Sequence, residues 1–600
     1  MFNNLATGVV NLNSGTLTLN GAGTDIAGSS YNVASGTTLQ FIGSHTIPGS
    51  ISGGGNVQFG GNNQTHVISG DYNISGVTDI WGDCCGTTSV SFTGNVLNVG
   101  TTLTVGNISN GASALDFSGI ATGEASGFAN LTSITARNSL TFKTGTNFTA
   151  LNSLAVSAGT TNLGNQPVTL TTLNLSGGTL TGSGAITIPN GGSLNWTNGT
   201  LDATVAGTVL TTASGSTVSL TKGALAANRT WNNSGAITEV NLCCSVFSIN
   251  GTLNNLAGGG VTLNDSLAGY GLGGTGTINN SGTFNKTQNG AAVSSPIAPV
   301  FNNLATGVVN LNSGTLTLNG AGTDIAGSSY NVASGTTLQF LGSHTIPGTV
   351  SGTGNVQFGG NGRTHLISGD YNISGVTDIW GDCCGTTSVS FTGNVLNVGT
   401  TLTVGNISNG ASALDFSGIA TGEASGFANL TSITARNSLT FKTGTNFTAL
   451  NSLAVSAGTT NLGNQPVTLT TLNLSGGTLT GSGAITIPNG GSLNWDQWHA
   501  GRDGGGHRAD HGIGIDGVAH ERRTSGEPDM EQQRCDHRSE LVLLGLQHQR
   551  HTEQPGGRRG HPERQPGGLR ARRHGHDQQQ RHIQQDAERR GGQFADCAGF

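Results

Sequence analysis

The sequence predicts an all-β solenoid of the parallel β-helix type, and three observations carry that prediction. The first is a tandem repeat. Phe2–Trp196 returns as Phe301–Trp495, an offset of 299 residues, with seven differences in 195 positions. Self-similarity on this scale marks a stacked-repeat architecture. The second is short apolar/polar alternation with period two, broken by Gly, Asn-Gly or Ser-Gly, and no helical period held for three turns. The third is the core supply. Aromatic residues make up 5% of 600 residues, thin for a large globular core. They suffice for a solenoid, where each coil buries a narrow core against its neighbours.

The strands follow in chain order. Val10-Asn11-Leu12, Leu17-Thr18-Leu19, Leu39-Gln40-Phe41, Val57-Gln58-Phe59, Leu97-Asn98-Val99, Leu103-Thr104-Val105 and Leu173-Asn174-Leu175 alternate apolar with Thr, Asn or Gln. Apolar side chains then point inward and polar ones outward. Asn190–Ser248 continues the theme, and Gly276–Lys286 leads through Pro296 and Pro299 into the second copy. Coils of about 20–25 residues would give roughly 12–15 coils per copy, stacked at about 4.8 Å. Asn and Thr at matching coil positions are expected to form hydrogen-bonded ladders. The seven differences fit. Ile42/Leu341, Ser50/Thr349, Ile51/Val350 and Val67/Leu366 keep strand character. Gly54/Thr353, Asn63/Gly362 and Gln64/Arg363 fall in Gly/Asn-rich stretches that read as turns.

Three regions result: a first repeat, 1–300; an incomplete second repeat, 301–495; and a compositionally foreign tail, 496–600. The tail holds 16 of the 24 Lys+Arg and 11 of the 15 His. It reads as the continuing repeat translated out of frame. If each tail codon is the last base of one repeat codon plus the first two of the next, Trp231-Asn232-Asn233-Ser234-Gly235-Ala236-Ile237-Thr238 becomes Met530-Glu531-Gln532-Gln533-Arg534-Cys535-Asp536-His537. All 105 pairs from Thr197/Asp496 to Phe301/Phe600 obey the rule, and one extra G after the Trp495 codon suffices. The tail is therefore expected to be non-native and disordered. Its apparent motifs, such as Arg572-Arg573-His574-Gly575-His576 or His507/Asp510/His511, carry no function on this reading. The repeat itself carries the net charge of −7, which argues against nucleic acid as a partner.

Met1 aligns with Val300, as a GTG valine codon read as a start would. No signal-peptide pattern follows, and the native N-terminus is expected further upstream. No apolar run of about 18 residues offers a membrane span. The phrases Ser14-Gly-Thr-Leu-Thr-Leu-Asn-Gly21, Gly192-Ser-Leu-Asn-Trp-Thr-Asn-Gly-Thr-Leu201 and Gly276-Thr-Ile-Asn-Asn-Ser-Gly-Thr-Phe-Asn-Lys286 resemble the bacterial β-strand-repeat surface proteins. Those are similar to autotransporter passengers and filamentous-haemagglutinin-like adhesins. The resemblance spans residues 2–495. It implies a right-handed β-helix, export, an extracellular or cell-surface location and a structural or adhesive, non-catalytic role. It supplies no catalytic residues and no cofactor. The expected partners are host or environmental surface glycans or proteins, met by a monomeric rod.

The densest polar stretch is His66…Asp71…Asp79…Asp83-Cys84-Cys85, repeated at His365, Asp370, Asp378, Asp382, Cys383 and Cys384. β-Helix enzymes that cleave polysaccharides cluster carboxylates on one face beside a cation. That gives a second reading, a polysaccharide-binding or polysaccharide-cleaving β-helix, with Asp79 and Asp83 as the acids to test. The spacing of these Asp does not place them on one face, and only Arg363 in the second copy, opposite Gln64 in the first, adds a charge. Turn Asp residues are the plainer account. Asp71, Asp79 and Asp83 could also be drawn as a calcium site, although the Gly-Gly-x-Gly-x-Asp array is absent. The doublets Cys84-Cys85, Cys243-Cys244 and Cys383-Cys384 read either as buried apolar packing or as vicinal disulfides formed after export. Ice or mineral binding by arrays such as Thr16-Leu-Thr18 and Thr102-Leu-Thr104 is a third reading, weakened because they do not recur at constant spacing.

Overall fold

A computed structural model describes residues 1–82, 86–106, 112–239, 246–264, 271–287, 293–381, 385–405 and 410–496. Within them the chain is all-β, built from short parallel strands of two to ten residues. Most coils lay down three strands in succession; those through residues 117–132 and 142–152, and their second-copy counterparts, lay down two. Val9–Leu12 opens a first face, Thr16–Leu19 a second and Gly23–Thr24 a third. The next coil repeats the order, and each strand pairs in parallel with its counterpart above. The third face runs through 21 successive pairings from Gly23–Thr24 to Ser492–Trp495. At about 4.8 Å per step the stack is about 100 Å long.

Alternation decides which side chain goes in. Thr38–Phe41 buries Leu39 and Phe41 and turns Thr38 and Gln40 outward; Asn56–Phe59 does the same one coil later. Stacking like on like then builds the core. Phe41 lies 5.3 Å from Phe59, Phe92 4.6 Å from Phe117, and Phe117 5.5 Å from Phe142. Such ring pairs add about 0.5–1.5 kcal/mol each beyond their burial. The few aromatic residues thus form a spine along the axis.

The expected ladders are present. On the first face, Asn233 donates to Asn255 (2.9 Å), Asn255 to Asn280 (2.7 Å) and Asn280 to Asn303 (2.9 Å), all buried. The adjacent outward Asn residues run the opposite way. Asn302 donates to Asn279, Asn279 to Asn254 and Asn254 to Asn232, at 2.8–2.9 Å. The inner file crosses from the first copy into the second, so the boundary at 300 is a continuous stack.

The two copies do not repeat on the same face. Thirteen pairings carry the second face from Thr16–Leu19 to Val308–Leu311. Val308–Leu311 is the counterpart of Val9–Leu12, which lies on the first face. One copy therefore spans thirteen coils and a third, and every element of the second copy sits one face further round.

Coil lengths bracket the expectation. Pairings join residues 18 apart (Thr38↔Asn56) to 31 apart (Thr102↔Ser133). The substitution pattern also holds. Ile51 and Val350 are both buried. Asn63 and Gly362 share the left-handed turn conformation, at φ 53° and 61°.

Candidate surface groove

The polar stretch singled out in the sequence is dispersed by the fold. His66 points into the core, where its ring stacks on His45 at 6.4 Å and its Nε2 lies 3.2 Å from the Gly60 carbonyl oxygen. Burial pulls its pKa down to about 4. In the second copy His344 and His365 stack at 6.5 Å, with pKa values pulled down to about 3 and about 4, again chiefly by burial. These imidazoles are neutral core rings. Asp71 sits at the start of a first-face strand, where Asn95 donates to its carboxylate at 2.7 Å. Asp79 stands on the second face. The fold thus separates these two members of the suggested calcium set. Asp83, Asp382 and the three cysteine doublets (Cys84-Cys85, Cys243-Cys244, Cys383-Cys384) lie outside the described residues. Among the described residues, no group of three His, Cys, Asp or Glu could hold a metal ion.

Asp79 and Asp378 belong to a different constellation. On the third face of the second copy, outward positions of successive coils place Thr317, Gln339, Gln357, Asp378 and Thr403 in one file. Their side chains form a directed chain. Thr317 donates to Gln339 at 2.7 Å, Gln339 to Gln357 at 2.5 Å, and Gln357 to Asp378 at 3.4 Å. Burial raises the Asp378 pKa, opposed first by the nearby Arg436 and then by the Gln357 bond.

Two residues on in each strand, a second file reads Gly359, Trp380, Gly405, Arg436. Gly359 makes room for the indole: a Cβ there would lie 2.8 Å from the Trp380 ring. Arg436 reaches back over Gly405 and donates to its carbonyl oxygen at 3.1 Å. The result is an open groove of about 420 Å³ lined by Gln339, Gln357, Asp378, Trp380, Thr403, Gly405 and Arg436. Trp380 stands one coil before Gly405 and Arg436 one coil after. Among the described residues, Asp378 is the one carboxylate in this lining.

The first copy builds the same arrangement on its second face. Thr18 donates to Gln40 (2.7 Å), Gln40 to Gln58 (2.5 Å) and Gln58 to Asp79 (3.3 Å). Arg137 donates to Gly106 O at 3.2 Å, and a Cβ at Gly60 would meet Trp81 at 2.6 Å. Burial again raises the Asp79 pKa, offset first by the Gln58 bond and then by Arg137. The sequence reading found Asp79 but missed Trp81, Gln58 and Arg137. The repeated outward Gln of Leu39-Gln40-Phe41 and Val57-Gln58-Phe59 was the available signal.

A leucine-rich-repeat family model matches residues 166–188 and 465–487. The matched segment carries Leu170, Leu173, Leu175 and Leu180, all buried, the L-x-x-L-x-L spacing of that repeat class. The match covers a small part of the chain and, with the stacked coils, marks it as a repeat protein. No curated protein matches the chain, and no solved structure matches it.

Proposed function

We propose that the chain is part of an exported bacterial surface protein that acts as a non-catalytic adhesive spacer. The observation that carries this reading is the continuous parallel stack of the third face across both copies, on which the second-copy groove has, among the described residues, one carboxylate in its lining. Glycoside hydrolysis ordinarily uses two carboxylates about 5–9.5 Å apart. A lone Asp bound by a Gln beside an Arg fits holding a ligand better than cleaving one. Its surface, rich in Asn, Thr, Ser and Gly and poor in Lys, fits an extracellular polar shaft, and the resemblance to autotransporter-like and haemagglutinin-like adhesins supports the same role. The test is retention. Beads coated with the full chain are washed over cultured cell layers and over films of extracellular polysaccharide. Retention above that of albumin-coated beads is expected on at least one surface. Equal retention on all of them, or release of soluble sugar from the films, refutes the reading.

A further inference from the structure

The groove has a chemistry more specific than adhesion. An indole is held against Gly359 on one wall. A guanidinium is anchored to the Gly405 carbonyl on the other. Between them lie two carboxamides, a carboxylate and a hydroxyl. Asp378 and Arg436 cancel in charge, so the site offers no net attraction to an anion or a cation. It offers many directional donors and acceptors around one aromatic surface. The Thr317→Gln339→Gln357→Asp378 chain orients both carboxamides, and each Gln amide keeps a second N–H beyond the bond it makes in the chain. The Asp378 carboxylate has about four acceptor sites and, among the described residues, receives the Gln357 bond at 3.4 Å. Hydroxyl groups of a ligand are the natural donors to fill the rest. Indole faces pack against the C–H faces of sugar rings, where one side is apolar and the rim is polar.

We propose that this groove binds neutral hexopyranose glycans, with Trp380 as the ring platform and Asp378, Gln357 and Arg436 reading hydroxyls. Trp81, Asp79, Gln58 and Arg137 form an equivalent second site. The proposal rests on the adhesive reading above and adds its ligand class. The two sites lie thirteen coils and a third apart, about 64 Å at about 4.8 Å per coil, and they open on adjacent faces of the shaft. A short oligosaccharide cannot engage both. Long glycans or two separate glycan-bearing surfaces can, so avidity arises from cross-linking and not from chelation of one chain.

The test titrates the full chain with maltohexaose, cellohexaose, a β-1,4-galactohexaose and a hexagalacturonate. Tryptophan fluorescence and calorimetry are the readouts. At least one neutral oligomer is expected to bind at two sites per chain. Trp380→Ala should leave one site per chain, and Trp81→Ala/Trp380→Ala none. Asp79→Asn/Asp378→Asn should weaken binding at least tenfold while circular dichroism and the unfolding midpoint stay unchanged. The conservative Trp81→Phe/Trp380→Phe pair should keep partial binding, which a merely misfolded Ala pair would not explain. Three outcomes overturn the proposal: no neutral oligomer binds at millimolar concentration, only the uronate binds, or the double Trp→Ala variant binds like the parent. If the beads described above are retained while these titrations fail, adhesion stands and the glycan site falls.

Discussion

The inner asparagine file offers a sharp test of what holds the coils in register. Asn279 and Asn280 are neighbours in one first-face strand and make the same type of bond in opposite directions. Asn279 is half-buried in the outer file, and Asn280 is fully buried in the inner one. Replacing Asn280 by Ala removes its bond from Asn255 and its bond to Asn303. Asn255 still donates to Thr283 O at 3.0 Å, but the side-chain amide oxygen Oδ1 of Asn303 loses its Asn280 donor away from water. A stranded buried acceptor costs about 1–3 kcal/mol and each lost bond about 0.5–1.5 kcal/mol. With the vacancy left behind, Asn280→Ala should cost about 3–5 kcal/mol. Asn279→Ala exposes its partners to water and should cost at most about 1 kcal/mol. Because long repeat arrays unfold in parts, the assay is native-state hydrogen exchange read on peptides from Thr252–Asn255 through Val300–Asn303. The buried change should accelerate exchange there by more than a hundredfold and the outer change by less than tenfold. Equal acceleration, or less than tenfold for Asn280→Ala, would falsify the view that buried polar ladders lock the coils.

Other perturbations probe the core. Imidazole resonances of His66, His344 and His365 should remain those of neutral rings at pH 5, since burial lowers all three; titration near pH 6.5 refutes their packing. The sign follows: the unfolded chain takes up these protons below about pH 6.5 and the folded chain does not, so stability falls as pH drops from 6.5 to about 4. His66 alone accounts for about 3 kcal/mol of that fall. Asp324 acts oppositely. It accepts from Tyr330 Oη and Asn303 N, both at 2.8 Å, and burial raises its pKa to about 7. Its effect lowers stability as pH rises from about 4 to 7, and Asp324→Asn should flatten that limb by up to about 4 kcal/mol in urea melts; an unchanged pH profile refutes it. Gly359→Ala should displace the Trp380 indole and shift its fluorescence, with Gly54→Ala, where the nearest atom to a Cβ lies at 3.4 Å, as the control; no shift refutes the close approach.

The class of fold was legible because period-two alternation is local. Leu39-Gln40-Phe41 states its inward and outward sides without reference to any other coil, and the structure agrees. The ladders were legible as a type because Asn and Thr recur at strand positions. The groove was not legible, because it depends on which outward residue lies above which. Gln40 sits above Gln58 across an 18-residue coil, Thr104 beside Thr135 across a 31-residue one. With coil lengths so unequal, no constant period aligns Gln58, Asp79 and Arg137 in the sequence. His66 misled for a related reason. A polar side chain on an inward position looks like a site residue until its neighbour His45 is seen stacked against it.

The offset of thirteen coils and a third carries a structural argument of its own. Val9–Leu12 forms part of the first face and Val308–Leu311 part of the second, yet the two segments are identical in sequence. A duplicated unit can join its predecessor one face out of step only if a strand fits whichever face receives it. That requires faces of similar strand length, with an inward apolar file and an outward hydrogen-bonding one. The observed pairings meet the requirement at Val309, which falls onto Phe284, and at Asn310, which donates to the outward Asn285 at 2.9 Å; Leu311 falls onto Lys286, a buried charged exception in the inward file. The repeat therefore grows without a specialised joint, and its unit length need not be a whole number of coils. The same phase shift turns a duplicated groove into two grooves on different faces. Each further copy would move the groove to the next face, and three copies would present it on all three.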